Sequence, residues 1–322
     1  PQKGRYREFW QCDVDVAGST SLLHEAEFIA IYDEVLSTLG LQDFTIVLNH
    51  RKLLAGLATA AGCEDRFTDL CVAIDKLDKI GPDGVRQELA QRGISDASAA
   101  QLLPWFALQG SPAEVLAQLQ AQVPPNDLLA QAQADLQQVL AYHATMPHFR
   151  AQLRLDLSLA RGLNYYTGTI FEVRAGGVQI GSIGGGGRYD DLTGMFGKSG
   201  IPGAGISLGA DRVYDVMDEL GLFEALPHAG TRALIVRFSP ESEAQELALL
   251  TQLRQAGIPA ELYHEPAKLG KQFGYADKKQ TPWCIVLGDT ERACGQALLK
   301  DMASGEQTAL AWDAIMAKLA HV

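Results

Sequence analysis

The sequence predicts an α+β protein, in which an antiparallel sheet domain interrupted by helices is followed by a smaller α/β domain. Three observations predict this class. The first eighteen residues alternate in polarity as a strand does, residues 61–148 carry helical patterns only, and residues 230–322 alternate between strand and helix patterns.

The opening segment PQKGRYREFWQCDVDVAG has two chemically different faces. Its even positions Tyr6, Trp10, Cys12, Val14 and Val16 are mostly apolar, so we expect them to face the core. The odd positions run from cationic through aromatic and amide to anionic: Lys3, Arg5, Arg7, Phe9, Gln11, Asp13 and Asp15. This gradient suits an elongated ligand with phosphate at one end, a flat ring and a basic group. The alternative is a half-solvated strand with mixed charges outside.

The segments that follow divide the predicted domains. Residues 24–41 have a helical pattern, and residues 43–60 read as a buried strand leading into a helix. The predicted ranges are a first part of the sheet domain at 1–60, a helical insertion at 61–148, a second part of the sheet domain at 149–225 and an α/β domain at 230–322. Within the insertion, Gly81-Pro82 and Pro124-Pro125 are expected to break helices.

The second part of the sheet domain returns to strand patterns. Tyr165 and Tyr166 are expected on opposite faces of one strand, and Ala175-Gly176-Gly177 is expected to turn a hairpin. GAGISLGADRVYDVMDEL (203–220) predicts a glycine-bearing strand that passes into a helix. In the last domain, three strand patterns separated by two helices predict a parallel sheet with covering helices.

Composition excludes several classes of protein. No apolar run approaches the ~20 residues that span a bilayer, and the formal net charge of −12 argues against a surface coated in positive charge for nucleic acid. Contact with RNA must therefore be local. The five cysteines are scattered and form no zinc-like pattern. We expect a soluble, cytoplasmic protein without a structural metal.

Three glycine- and arginine-bearing segments are candidates for binding chemistry. Four glycines, 184–187, precede Arg188, and backbone without Cβ atoms lets a ligand approach closely. Arg161 precedes the paired tyrosines, and Arg212 follows a glycine-rich strand at the start of a helix, where a guanidinium can hold an anion. The alternatives are a flexible strand connection for the glycines and a surface ion pair with Asp211 for Arg212.

Together these segments resemble the histidyl-tRNA synthetases, a family of class II aminoacyl-tRNA synthetases. PQKGRYREFWQCDVDVAG resembles the loop and second strand of motif 2, LARGLNYYTGTIFEV and GGGGRYDDL resemble the two histidine signatures, and GAGISLGADR resembles motif 3. KLGKQFGYADKK (268–279) resembles part of the anticodon-binding domain. The resemblance implies a class II antiparallel-sheet catalytic domain with a helical insertion and a C-terminal α/β anticodon-binding domain.

The resemblance also implies roles for individual residues. It places Arg161 as the catalytic residue on the carboxylate and α-phosphate, and Arg5, Phe9 and Arg212 on ATP. The implied histidine-binding residues are Gln11, Asp15, Arg161, Tyr165, Tyr166, Tyr189, Gly185 and Gly186. The implied tRNA-binding residues are Lys268, Lys271, Lys278 and Lys279, for which a solvated helix end is the alternative. The implied activity is ATP-dependent ligation of histidine to tRNA(His), with Mg²⁺ on the phosphates and a homodimer in the complete protein.

The sequence departs from the family pattern in three places. Motif 1, the start of motif 2 and a loop for the substrate amino group have no counterpart before Pro1, so we expect this chain alone to have little adenylation activity. Asn164 replaces an aspartate, and Asp15 replaces a longer glutamate. The alternative function is a non-catalytic pseudo-synthetase that senses or binds tRNA. A related regulatory subunit of histidine biosynthesis normally lacks the C-terminal domain.

Overall fold

The computed structural model describes residues 4, 6–147, 150–160, 165–224, 230–237, 239–265 and 267–320. The chain divides into two compact units, residues 1–223 and 224–322. Each unit has its own sheet and its own buried apolar cluster. No helix in the described ranges is long and apolar enough to cross a bilayer.

The sheet of the first unit is built mainly from antiparallel neighbours. In the described part of the unit, six strands run in the order β1-β6-β5-β4-β2-β3, and β2 with β3 is the parallel pair among them. The strands are β1 Gln11–Ala17, β2 Phe44–His50, β3 Gln152–Leu155, β4 Thr169–Ala175, β5 Gly184–Arg188 and β6 Gly203–Gly209. This sheet agrees with the predicted fold class.

Helices flank and interrupt this sheet. They are α1 Leu23–Thr38, α2 Arg51–Ala60, α3 Phe67–Ile74, α4 Leu77–Gln91, α5 Asp96–Phe106, α6 Pro112–Gln122, α7 Asp127–His143 and α8 Ala210–Glu219. Several begin where the sequence supplies a side-chain cap: Ser111 forms a capping box with Glu114, and the Asn126 side chain accepts the Leu129 N–H. The chain breaks between α6 and α7 at Pro124-Pro125, whereas at Gly81-Pro82 it only kinks inside α4, with Gly81 at φ 67°.

One face of the sheet is closed by the apolar core. Phe28 of α1 meets Phe171 of β4 edge to face with ring centroids 6.2 Å apart, and the Tyr32 hydroxyl donates to the Ser207 carbonyl at 3.1 Å. Arg188, at the end of β5, makes a buried bidentate ion pair with Glu25 of α1 at 2.6 and 2.8 Å. Arg188 therefore ties α1 to the sheet on the core side.

The prediction of a core face on the opening strand is wrong. The even positions of the opening strand do not form a core face, because Trp10 is 78% exposed, Cys12 and Val14 are also exposed, and only Val16 packs on the core. The reason is that β1 is at the edge of the sheet formed by the described residues, and the buried core ends at β6 and Val16. The hairpin expected at Ala175-Gly176-Gly177 is confirmed, because β4 and β5 are antiparallel neighbours, but its connection is longer than three residues, since β5 begins only at Gly184.

The second unit has a mixed sheet in the order β11-β10-β9-β7-β8. Its elements are β7 Ala233–Val236, α9 Glu243–Gln255, β8 Ala260–Leu262, α10 Leu269–Lys278, β9 Trp283–Val286, α11 Asp289–Ala293, β10 Gln296–Asp301, β11 Gln307–Ala311 and α12 Trp312–Ala320. Strands β7, β8 and β9 are parallel, as the alternation predicted. The sheet is not parallel throughout, because β10 and β11 form an antiparallel hairpin on its edge.

Candidate active site

The side of the first sheet that faces away from α1 carries the polar residues of three neighbouring strands. Asp13 and Asp15 of β1 lie opposite Ser207 and Gly205 of β6, and Ser207 lies opposite Gly185 of β5. Directly paired residues on antiparallel strands point to the same side of the sheet. The odd positions of β1 (Gln11, Asp13 and Asp15) and the alternate residues of β6 and β5 therefore share one surface, which we call the ligand face.

Missing Cβ atoms leave room for larger side chains on this face. A Cβ on Gly205 would overlap the Asp15 carboxylate, and one on Gly203 would overlap the Tyr189 ring. A Cβ on Gly187 would lie 2.8 Å from the Tyr166 ring. These three glycines are spaced so that an acid and two tyrosines lie directly on the strand backbone.

An acid and three tyrosines form one cluster on the ligand face. The Tyr189 hydroxyl donates to Oδ1 of Asp15, and the Tyr165 ring contacts both Tyr189 and Tyr166, with centroid separations of 6.2 and 4.5 Å. The Tyr165 hydroxyl donates to that of Tyr166 at 3.4 Å. Burial raises the pKa of both Tyr166 and Tyr189, and the Asp15 bond adds to the shift at Tyr189. Both phenols are therefore neutral hydrogen-bond donors at physiological pH.

The prediction that Tyr165 and Tyr166 lie on opposite faces of one strand is wrong. Both precede β4, which begins at Thr169, and both rings are half-buried in the same cluster. Period-two alternation holds only along a regular strand, and these residues lie in the irregular segment before it.

A cleft of about 480 Å³ opens at the start of β1. Its lining residues are Gly4, Tyr6, Phe9, Trp10, Gln11, Ser182, Ile183, Gly184, Gly185, Ser207, Gly209, Asp211 and Arg212. Pockets of this size hold small-molecule ligands. Phe9 is 57% exposed beside the cleft, so its ring is available for stacking.

Arg212 supplies positive charge to this cleft from the first turn of α8. Its Nε donates to the Gly4 carbonyl at 2.7 Å and its Nη1 to the Ser182 carbonyl at 2.6 Å. Two carbonyl bonds fix the plane of the guanidinium while leaving the side chain charged. The N-terminal end of a helix adds a favourable field for an anion at the same place.

The opening segment is fastened to α8 by polar contacts. The Tyr6 hydroxyl donates to Asp215 at 2.7 Å, the Trp10 N–H donates to Asp211 at 2.5 Å, and the Ala210 N–H donates to the Trp10 carbonyl at 3.0 Å. These bonds place Phe9 and Gln11 next to Arg212. The sequence left open a surface ion pair between Asp211 and Arg212. In the structure, the Asp211 carboxylate instead accepts a hydrogen bond from the Trp10 N–H, and Arg212 donates to the two carbonyls.

The structure brings most of the predicted site residues to the ligand face. Phe9, Gln11, Gly185 and Arg212 line the cleft, and Asp15, Tyr165, Tyr166 and Tyr189 form the cluster farther along β1. Gly186 is buried and points to the opposite side, where a Cβ would meet the backbone of β6. The predicted residues Arg5 and Arg161 lie outside the described residues.

Sequence reasoning missed Ser207 as a site residue. The Ser207 hydroxyl accepts a hydrogen bond from the Gln11 side-chain amide at 3.0 Å, and Ser207 lines the cleft. A signal was present in GAGISLG, because Gly203, Gly205, Ser207 and Gly209 alternate as small residues along β6. Small residues at every second position of a strand leave one face of the sheet without bulky side chains, so a neighbouring side chain or a ligand can lie directly on the backbone.

In the second unit, the predicted basic residues lie on and beside α10. Lys268, Lys271, Lys278 and Lys279 are all exposed. Lys279 is engaged, because it pairs with Glu261, which also accepts from the Tyr275 hydroxyl at 2.6 Å. Lys268 directly precedes α10, and Lys271 lies in its first turn.

Two different protein families match the two units of the chain. The family described as histidyl-tRNA synthetase matches residues 1–213. The chain belongs to the histidyl-tRNA synthetase family. A histidine–tRNA ligase of Cytophaga hutchinsonii is 45% identical over 319 residues, covering 99% of this chain and 70% of the relative. One of Bacteroides fragilis is 47% identical over 307 residues, covering 95% of this chain and 67% of the relative.

Structural similarity agrees with this membership. The crystal structure of histidyl-tRNA synthetase from Nostoc sp. PCC 7120 superposes with a TM-score of 0.83 at 34% identity, over 98% of this chain and 74% of that one. The family described as anticodon binding domain matches residues 232–321. The second unit therefore has the anticodon-binding fold that the sequence predicted.

Proposed function

We propose that this protein is a histidine–tRNA ligase, which activates histidine with ATP and transfers it to tRNA(His). One observation carries the proposal: a single sheet face joins a cleft lined by Arg212 and Phe9 to the Asp15 and tyrosine cluster. The two regions suit the two halves of a histidyl-adenylate. The family membership of the chain supports the same activity.

The first step joins the histidine carboxylate to the α-phosphorus of ATP. The carboxylate is already ionised, so the reaction needs alignment and stabilisation of phosphoryl charge more than a base. Arg212 would hold phosphate oxygens in the cleft, and the exposed Phe9 ring would stack on adenine. Attack forms the acyl–phosphate bond as pyrophosphate leaves, and the tRNA terminal hydroxyl then displaces AMP. Arg5 and Arg161 keep the roles that the resemblance implies.

Selectivity for histidine would come from the Asp15 cluster. The Asp15 carboxylate accepts an imidazole N–H, and the neutral hydroxyls of Tyr166 and Tyr189 complete the polar wall. A substrate without an imidazole would leave these groups unpaired. Polar mismatches of this kind discriminate by ~10⁴-fold or more.

Mg²⁺ and homodimer formation stay proposals from the resemblance, and cytoplasmic location stays a proposal from the composition. Among the described residues, no three His, Cys, Asp or Glu side chains are grouped as metal ligands. Phosphate oxygens of a nucleotide commonly supply much of its coordination.

Histidine-dependent exchange of pyrophosphate into ATP tests the proposed function, measured on this chain and on a form extended upstream. We expect little exchange by this chain and exchange that requires histidine by the extended form. In the extended form, Asp15→Ala should raise the KM for histidine at least about tenfold and leave the KM for ATP unchanged. Asp96→Ala, at an exposed helix start in the insertion, is the matched control. An extended form that binds tRNA but exchanges nothing would support the pseudo-synthetase instead.

A further inference from the structure

Asn49, near the end of β2, is a fully buried polar residue that the proposed function does not use. It belongs to a row of directly paired residues that crosses the sheet to Asp15 through Ile170, Gly187 and Gly205. Directly paired residues on antiparallel strands point to the same side of the sheet. Asn49 therefore faces the same side as Asp15, although four strands separate them along the row.

The Asn49 side chain is hydrogen-bonded to backbone at both of its polar atoms. Its NH₂ group donates to the carbonyl oxygens of Leu157 at 3.2 Å and Leu159 at 2.9 Å. Its Oδ1 accepts the His50 N–H at 2.8 Å. Two donors and an acceptor on one short side chain are the pattern of asparagine, since a carboxylate could only accept. Alanine at this position would remove all three bonds.

These bonds fasten the segment 157–168, which carries Tyr165 and Tyr166. Strand β3 pairs with β2 and ends just before this segment. The carbonyls that follow are held by the Asn49 side chain instead of by the backbone of a strand. At the other end of the segment, the Gly168 carbonyl accepts the Arg51 N–H at 2.8 Å. The end of β2 therefore holds both ends of the segment.

Leu159 connects the Asn49 bonds to the ligand face. The Leu159 side chain is buried and forms a small apolar cluster with Val47 and Ile170, against which Tyr166 packs. The Tyr166 hydroxyl belongs to the acid and tyrosine cluster described above. The place of a ligand-facing hydroxyl thus depends on a residue whose carbonyl Asn49 holds.

We propose that Asn49 is a positioning residue for histidine binding. It holds the backbone of Leu159 and thereby sets where Tyr166 lies in the cluster, and it acts through these residues rather than by contact with the substrate. The inference rests on the proposed function, because it takes the substrate as histidine.

The test is histidine-dependent pyrophosphate exchange by the upstream-extended form, in wild type and in Asn49→Ala. We expect Asn49→Ala to raise the KM for histidine by about fivefold or more and to leave the KM for ATP within about twofold, because the change reaches the cluster and not the Arg212 side of the cleft. A purely structural role would reduce the amount of folded enzyme, which lowers the apparent kcat and leaves both KM values unchanged.

Asn126→Ala is the matched control. Asn126 also donates from its side-chain amide to a backbone carbonyl, that of Gly56 at 3.0 Å, and it accepts the Leu129 N–H at the start of α7. It has the same chemistry in the same unit but no bond to the segment 157–168 among those of the described residues. Asn126→Ala should leave the KM for histidine unchanged, and a rise equal to that of Asn49→Ala would contradict the proposal.

Two further variants test the route from Asn49 to the cluster. Leu159→Ala removes support from Tyr166 and should also raise the KM for histidine. The double variant Asn49→Ala/Leu159→Ala should be little worse than the worse single variant, because both changes act along one route. Effects that multiply would show that Asn49 acts by another route and would contradict the proposal. Asn49→Ser keeps one short hydroxyl, and it is judged by the same KM criterion where Asn49→Ala does not fold.

The outcomes separate the two proposals. A lower kcat with an unchanged KM for histidine in Asn49→Ala would overturn the positioning role, while the histidine-dependent exchange of the wild type would still support the proposed function. An extended wild type without histidine-dependent exchange would overturn the proposed function, and the role of Asn49 would fall with it.

Discussion

Tyr189 donates its hydroxyl to Oδ1 of Asp15 across 174 positions of sequence, and this bond joins the end of β5 to the middle of β1. The bond needs the two glycines of β6 beneath it, since Gly203 makes room for the ring and Gly205 for the carboxylate. The orientation of Asp15 is thus set by residues on two other strands.

Tyr189→Phe should weaken histidine binding without unfolding the protein. The change removes one hydrogen bond to a charged group that is partly exposed, which costs about 1 kcal/mol and corresponds to about a fivefold higher KM for histidine. The KM for ATP should stay the same. Kinetics of pyrophosphate exchange check this, and an equal rise in both KM values would show that Tyr189 supports the whole cleft instead.

Gly205→Ala should impair histidine use more strongly than Tyr189→Phe. The added Cβ overlaps the Asp15 carboxylate and lies 3.1 Å from the Tyr189 hydroxyl, so both groups must move. Overpacking of this kind costs about 1–3 kcal/mol, and we expect at least about a tenfold higher KM for histidine. Gly274→Ala in α10, where a Cβ meets nothing within 4 Å, should leave exchange unchanged. Equal effects of the two substitutions would contradict the packing argument.

Arg188→Met should lower the free energy of unfolding by about 3–5 kcal/mol, because it leaves Glu25 charged and buried without its partner. Urea unfolding of the first unit measures this. Arg86→Met breaks the exposed pair with Asp96 and should cost only about 0.2–1 kcal/mol. The double variant Arg188→Met/Glu25→Leu should recover much of the loss. A double variant no better than Arg188→Met would contradict the explanation.

Glu261 makes the stability of the second unit depend on pH. Burial pushes its pKa up, but hydrogen bonds from Lys279, Tyr275 and Thr231 outweigh burial and hold the pKa below its usual value. The ionised group therefore stabilises the fold above its unfolded pKa of about 4.3, and this stabilisation is lost as pH falls through the lower folded pKa. Glu261→Gln should reduce stability at pH 7 and should reduce it less between about pH 5 and pH 3.

Unfolding of the second unit can be measured by the fluorescence of Trp283 and Trp312, once the two tryptophans of the first unit, Trp10 and Trp105, are replaced by Phe. Glu306→Gln, at an exposed position of the same unit, is the control and should leave the pH profile unchanged. A stability difference between wild type and Glu261→Gln that is the same at pH 7 and pH 4 would show that ionisation of Glu261 plays no part.

Lys271→Ala should weaken tRNA binding in a salt-dependent way. Lys271 is exposed on α10, and each phosphate contact that is lost lowers the slope of log affinity against log salt by about 0.7–0.9. Lys79→Ala, at an exposed lysine outside the second unit, is the control. Filter binding across a salt series measures both slopes. Equal slopes for wild type and Lys271→Ala would remove Lys271 from the phosphate contacts.

Local patterns were sufficient for most elements of the fold. The buried strand and helix expected at 43–60 are β2 and α2, and the alternating patterns after 230 are the β7 to β9 region. These segments carry strong periodicity and explicit helix caps, so the local signal and the packing agree. The resemblance then supplied the antiparallel arrangement of distant strands, which periodicity alone does not specify.

The errors occur where a residue's surroundings depend on other segments. Val14 has the pattern of a core residue, yet it lies on the outermost described strand and is exposed, because burial requires a covering element. The rings of Tyr165 and Tyr166 contact each other because the chain there is irregular. The importance of Ser207 depends on its register with Gln11, which only the sheet pairing reveals.

The exposure of Cys12 on the reverse side of β1 has a practical use. Its neighbours in sequence, Gln11 and Asp13, face the ligand, while its own thiol is open to solvent on the other side. A fluorophore attached there, with Cys294 changed to Ser, would sit one residue from the bound amino acid without obstructing it. Emission from that dye would then report occupancy in real time, before any chemistry occurs.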